Sequence, residues 1–284
     1  MKITFIGGGN MATALIFGLL KKGRRAEDIR VVEIDAGARE RLARDLHVAA
    51  HADLAAGVAG AECIVLATKP QQMREVARSL APHARDALVI TIAAGIRHAD
   101  LARWLGGHAR VVRAMPNTPA LALAGVTGLY APQGVSRDDR NRAEEILGAA
   151  GTTLWVESEE RMDGVTAVSG SGPAYVFYFI EALEEAAAGL GFDAKAARAL
   201  ARETFAGAVK LATESPEGAA TLRARVTSKG GTTERAIEAL DASHVREAIV
   251  SAVHAAAARS RELGDALGRD PDDRTNGASA RSRG

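Results

Sequence analysis

Two glycine-rich turns, one near each end of the 284-residue chain, carry the residue types that could do chemistry. The later turn is "TSKGGTTERA" (Thr227 to Ala236), where Gly230 and Gly231 precede Thr232 and Thr233 at the start of a helical run. A helix start of this kind offers unpaired backbone N–H groups and the positive end of a dipole, which together hold a carboxylate without an arginine. Thr233 adds a hydroxyl beside that anion site; the competing reading is that Thr232 or Thr233 serves only as an N-cap. In the earlier turn, "FIGGGNMA", Gly7-x-Gly9-x-x-Ala12 follows a strand and opens a helix, the context that a dinucleotide fingerprint demands. Gly7 permits the tight turn, Gly9 lets the backbone approach a pyrophosphate, and Ala12 lets the helix pack closely on the strand.

Further residues gather where an open parallel sheet collects its ligands, at the carboxyl ends of strands. "ATKP" (Ala67, Thr68, Lys69, Pro70) ends one strand with a lysine and a proline, and "IAAG" ends the next with the small residues that a closely approaching cofactor requires. "MPNTP" ends a third, with two prolines fixing the turn around Asn117. Each alone reads as ordinary turn chemistry, but three consecutive strand ends shaped this way point to a nicotinamide pocket. The second strand ends at Glu33, an acid suited to accept hydrogen bonds from an adenosine ribose and to repel a 2′-phosphate, which taken alone favours NADH. Arg39 and Arg41, just downstream, could pair with a phosphate or belong to a solvated first helical turn.

The elements that must position these residues alternate in period. "KITFIGGG", "IRVVEI", "AECIVLAT", "DALVITIAAG", "ARVVRAM", "GVTGLYA" and "TTLWVE" read as strands, and several are separated by helical segments. That rhythm gives βαβ units and a mostly parallel sheet covered on both faces. From Met162 to roughly Leu267 the chain is helical, punctuated by "SGSGP", "GLGFD", "ESPEG" and "TSKGG". The fold class expected is therefore α/β: a dinucleotide-binding domain over 1–158, an all-helical dimerisation and substrate domain over 159–267, and a polar, aperiodic tail over 268–284 that reads as disordered. In "SGSGPAYVFYFIEAL", Ser171 and Gly172 start a helix whose first turns are almost wholly apolar. A small helical domain can hardly bury such a helix alone, so a homodimer built on this domain is expected.

Composition narrows the function classes. With 36 basic and 35 acidic residues the net charge is +1, so no strong field attracts nucleic acid or an anionic membrane. No apolar stretch approaches the roughly 18 residues of a membrane span. The N-terminus enters a strand directly, without the pattern of a secretory signal, so a cytoplasmic location is expected. The single cysteine, Cys63, lies within "ECIVLA" and reads as a buried structural thiol. None of the seven histidines clusters as a ligand set would, so no metal is expected.

Taken in order, "FIGGGNMA", "ATKP", "IAAG", "RAMPNTPA", "VSGSGPAYVFYFIEA" and "VTSKGGTT" closely resemble the pyrroline-5-carboxylate reductases, over about residues 1 to 265. The resemblance implies a Rossmann-type N-terminal domain and a helical domain that intertwines in a dimer, with higher assembly of dimers in many members. It implies reduction of L-1-pyrroline-5-carboxylate to L-proline, the last step of proline biosynthesis, by NADPH or NADH. As coenzyme contacts it gives Ile6, Gly7, Gly8, Gly9, Asn10 and Met11, then Ala67, Thr68, Lys69 and Pro70, then Ile92, Ala93 and Ala94, with Asn117 near the nicotinamide; Glu33 joins them by the reading above. As substrate contacts it gives Gly230, Gly231, Thr232 and Thr233, with Ser171 and Glu159 added, and the hydroxyl of Thr233 on the ring nitrogen as the catalytic group. Lys229 stands where many members have proline, and Ile34 where some offer a hydroxyl to a 2′-phosphate. A β-hydroxyacid dehydrogenase would share this layout, but would need a lysine on an early helix of the second domain, and the first lysine after residue 160 is Lys195. A non-catalytic coenzyme sensor would have no reason to keep Thr233 and the paired glycines.

Overall fold

A computed structural model describes residues 1–269; the tail expected over 268–284 lies, from residue 270 on, outside the described residues. The chain runs β1 (Ile3–Ile6), α1 (Asn10–Lys21), β2 (Ile29–Val32), α2 (Ala36–Leu46), β3 (Ala49–His51), α3 (Leu54–Val58), β4 (Cys63–Leu66), α4 (Met73–Ala84), β5 (Leu88–Thr91) and α5 (His98–Trp104). It continues through β6 (Val111–Met115), β7 (Gly125–Tyr130), α6 (Arg137–Leu147), β8 (Gly151–Trp155), α7 (Arg161–Val165) and a π-helical turn (Thr166–Gly170). Five further helices follow: α8 (Gly172–Gly189), α9 (Ala194–Glu214), α10 (Ala219–Arg225), α11 (Thr232–Ala242) and α12 (Val245–Gly268).

The strands form one eight-stranded sheet in the order β3-β2-β1-β4-β5-β6-β7-β8. Its pairs are parallel except β6 with β7. Strands β1, β4 and β5 are buried at every position, as a sheet covered on both faces requires, and the two polar residues among them, Thr4 and Thr91, are hydrogen-bonded to backbone. Because side chains alternate along a strand, Cys63 and Val65 enter one core with Phe5, Leu15 and Ile90, whereas Ile64 and Leu66 enter the other with Met73, Leu80 and Trp104. Helices α1, α2 and α6 cover the first face; α3, α4 and α5 cover the second. Burial pushes the Cys63 thiol up to about 11, so at neutral pH it stays a protonated, unreactive core side chain.

One ion pair docks α6 beside the sheet. Both carboxylate oxygens of buried Asp139 accept from Arg110, at 2.6 and 2.9 Å, just ahead of β6. The guanidinium beside Asp139 holds its carboxyl below the usual carboxylate range.

By internal contacts the described residues form two units, Met1–Ser171 with those from Ala256 onward, and Gly172–Ala255. The strand signals stop near 158, but α7 and the π-helical turn pack with the sheet: Met162 and Ala167 are fully buried, and Val165 lies over Gly128 of β7. In the second unit, Gly191 (φ +91°) turns the chain between α8 and α9, and Asp193 caps α9 by accepting from Ala196 N–H at 2.8 Å. No residue of α8 is buried within the single chain; Phe177 is 65 % and Tyr178 71 % exposed.

Candidate active site

The first glycine turn has the geometry its residue types demand. Gly7 sits at φ +99°, and a Cβ there would lie 2.7 Å from the carbonyl oxygen of Ala67, so only glycine fits between β1 and β4. Gly9 is the N-cap of α1 in an extended conformation without a side-chain cap, and a Cβ on it would meet open space. The first internal bond of α1 runs from Thr13 N–H to Gly9 O at 2.9 Å, which leaves the N–H groups of Asn10, Met11 and Ala12 without helical acceptors. A glycine cradle, exposed amides and the positive helix end fit the pyrophosphate of a dinucleotide.

A crevice of about 470 Å³ opens beside this turn, lined by Gly7, Gly9, Glu33, Ile34, Thr68 and Lys69 among others. Ile6 and Ala67 also line it, so β1, β2 and β4 deliver their expected contacts to one place. Ile92 lies beside them, because its N–H continues the ladder to Leu66 O at 3.1 Å beyond the end of β5. Ala93 is buried and its N–H bonds Thr91 Oγ1 at 3.3 Å.

Glu33 is drawn into the turn itself. Its Oε2 accepts from Gly8 N–H at 2.8 Å and its Oε1 from Asp35 N–H at 3.0 Å. Asp35 in turn caps α2 by accepting from Ala38 N–H at 2.6 Å. One guanidinium nitrogen of Arg39 donates to the carbonyls of Glu33 and Ile34, both at 2.8 Å.

Two other expected residues carry structural bonds. Asn117 accepts from Val126 N–H at 2.8 Å and donates to Ser169 O and Oγ, tying the "MPNTP" turn to β7 and to the π-helical turn. Glu159 Oε1 accepts from His98 N–H at 2.6 Å and from Arg113 at 2.9 Å. It thereby holds the start of α5 and neutralises an arginine that is only 4 % exposed within β6. Sequence reasoning passed over Arg113, although one cation inside the apolar run "VVRAM" was the available signal. Burial pushes the neighbouring His98 below the usual histidine range, against the attraction of Glu159. Ser171 N–H closes the π-helical turn on Thr166 O at 2.8 Å.

The second glycine turn bears on the N-cap reading alone. Gly230 adopts φ +72°, and Gly231, not a threonine, is the N-cap of α11, with no side-chain cap. Neither Thr232 nor Thr233 is used as an N-cap. Gly231 N–H bonds Ser228 O at 3.0 Å, and Gly230 N–H is taken by Glu234 Oε2 at 2.5 Å. The first helical bond is Arg235 N–H to Gly231 O at 3.2 Å, so the N–H groups of Thr232, Thr233 and Glu234 are the ones left without helical acceptors. The donors for an anion therefore come from the threonines rather than from the glycines that precede them. Among the described residues no three His, Cys, Asp or Glu side chains stand together as a metal site.

The family model described as "Pyrroline-5-carboxylate reductase dimerisation" matches residues 159–263, and the one described as "NADP oxidoreductase coenzyme F420-dependent" matches residues 2–95. A pyrroline-5-carboxylate reductase of Haemophilus influenzae is 45 % identical over 263 residues, covering 92 % of this chain and 97 % of its own. Among solved structures, a pyrroline-5-carboxylate reductase from Coxiella burnetii matches with TM-score 0.88 at 40 % identity, over 92 % of this chain and 98 % of its own. The Plasmodium falciparum pyrroline carboxylate reductase, solved with NADP bound, matches with TM-score 0.83 at 26 % identity, over 93 % and 98 %.

Proposed function

We propose residue roles for a chain that belongs to the pyrroline-5-carboxylate reductase family and reduces L-1-pyrroline-5-carboxylate to L-proline with NAD(P)H. The bound coenzyme supplies the hydride that the C5 carbon of the cyclic imine accepts. The chain's own residues do the rest. Gly7, Gly8 and Gly9, with the amides of Asn10 and Met11, hold the pyrophosphate; Ala67 to Pro70 and Ile92 to Ala94 flank the remainder of the dinucleotide. Asn117 keeps the "MPNTP" turn in place at the nicotinamide end through its three bonds.

In the second unit, the amides of Thr232 and Thr233 bind the substrate carboxylate at the positive end of α11, with Gly230 and Gly231 shaping the turn. The hydroxyl of Thr233 hydrogen-bonds the ring nitrogen. As hydride adds to carbon, that nitrogen gains a proton; a threonine hydroxyl is too weak an acid to supply it outright, so Thr233 orients the imine and relays the proton from water. In the first unit, Glu159 fixes Arg113 and the start of α5, and Ser171 closes the π-helical turn. The observation that carries this reading is the capless start of α11, where glycine takes the N-cap and leaves the threonine hydroxyls out of that role.

The working unit is a homodimer, supported by the dimerisation match over 159–263 and by the uncovered apolar face of α8. A cytoplasmic location is part of this reading, and among the described residues no helix is long and apolar enough to cross a membrane. The test is coenzyme oxidation followed by absorbance with pyrroline-5-carboxylate. Thr233→Ala is expected to lower kcat/KM about a hundredfold and Thr233→Ser to stay within about threefold of the parent. Coenzyme binding without turnover in the parent would instead make the chain a coenzyme sensor.

A further inference from the structure

We propose that this chain is built to prefer NADH over NADPH, and that Glu33 is the residue that decides it. The inference rests on the coenzyme site assigned above and concerns its adenosine end.

A 2′-phosphate is a dianion that needs donors, and an adenosine end that accepts NADPH supplies them from the turn after the second strand. In this chain three of the amides about that turn are engaged by the chain's own carboxylates, which leaves Ala36 and Gly37 N–H at the start of α2 facing the charge of Asp35. Asp35 N–H donates to Glu33 Oε1 at 3.0 Å, Ala38 N–H to Asp35 Oδ1 at 2.6 Å, and Gly8 N–H to Glu33 Oε2 at 2.8 Å. The end of β2 thus presents two carboxylates and no unengaged amide among these three. Arg39 is the cation of the turn, and its Nη1 is held by the two carbonyls of residues 33 and 34. Lys69 lines the same crevice but follows β4, which β1 separates from β2 in the sheet. Arg41 is exposed on α2, and its Nη1 and Asp35 Oδ1 would lie 3.6 and 3.5 Å from a Cβ placed on Gly37, so its charge stands beside the Asp35 carboxylate that caps the helix.

A ribose with a free 2′-hydroxyl reverses this balance. The hydroxyl donates, and a carboxylate already fixed by two amides accepts with little loss of freedom. Ile34, 82 % exposed at the crevice wall, adds an apolar surface for the adenine and no hydroxyl for a phosphate. Glu33 is therefore a specificity-determining residue: its fixed charge admits the hydroxyl and repels the dianion.

The test measures binding of two fragments by calorimetry, ADP-ribose and its 2′-phosphate, to the full-length protein, with NADH and NADPH titrated in parallel by fluorescence. The parent is expected to bind ADP-ribose and NADH at least about tenfold more tightly than their 2′-phosphorylated counterparts. Glu33→Gln, which keeps an acceptor for Gly8 N–H and removes the charge, should bring the ratio to within about threefold, and Glu33→Ser should lower it at least as far. Equal or tighter binding of the 2′-phosphorylated forms by the parent would overturn the proposal, as would a ratio unchanged in Glu33→Gln with its melting temperature intact. If the parent binds neither fragment, the coenzyme site itself is wrong and this inference falls with it.

Discussion

At the scale of single residues, the site is a set of backbone positions that side chains would spoil, more than a set of reactive groups. Gly7 is the clearest case, with left-handed φ and a neighbouring carbonyl where a Cβ would stand. Gly7→Ala should destabilise the chain by about 2 kcal/mol and weaken ADP-ribose at least tenfold, measured by thermal melting and calorimetry. A variant that folds as stably as the parent would show that the turn tolerates a side chain. The glycine turn between β1 and α1 and the helix start at Thr232 were legible in the sequence because glycines before a helical run mark such a turn. Their bonds were not legible. Glu33 bridging Gly8 and Asp35, and Glu159 paired with Arg113, join positions set together only by the register of β1 with β2 and by the turn after β8.

At the scale of elements, most of the sheet was readable from alternation of period, since seven strands carry enough β-branched and aliphatic residues to declare themselves. The eighth, β3, escaped: it is three residues long, Ala49, Ala50 and His51, and pairs only with β2 at the sheet edge. The π-helical turn was equally hidden, because it arises from how α7 packs beneath β7 and not from any local propensity. Ion pairs set how helices dock. Asp139 titrates below an unfolded aspartate, near 3.9. The unfolded chain therefore binds a proton first as the pH falls, and the contribution of this pair is present above that value and lost on descending through the folded one. Asp139→Asn should lower stability by about 1–2 kcal/mol at neutral pH, discounted because Arg110 is partly exposed. It should also flatten the fall in stability between about pH 5 and pH 3, read from melting curves across that range. A variant whose acid limb is as steep as the parent's would assign that limb to other carboxylates.

At the scale of the whole molecule, the second unit does not close on itself. Helix α8 has no buried residue, and Val176, Phe177, Tyr178 and Leu183 stand exposed on it, with Val209 and Leu211 on α9. An apolar surface of this extent on a chain of near-neutral charge is what the proposed homodimer would cover. In a two-fold interface every contact occurs twice. Burial of one aromatic side chain is worth about 1.5–3 kcal/mol, so losing it on both copies removes about 3–6 kcal/mol, or roughly two to four decades in the dimer dissociation constant. Phe177→Glu loses that burial and adds two like charges to the same surface. Light scattering on the parent should give the mass of a dimer at micromolar concentration, and Phe177→Glu the mass of a monomer with its helical content retained. Leu154→Glu, a comparable change on β8 of the first unit, should leave the dimer intact. A dimer that survives Phe177→Glu but dissociates with Leu154→Glu would move the interface from the helical unit to the edge of the sheet.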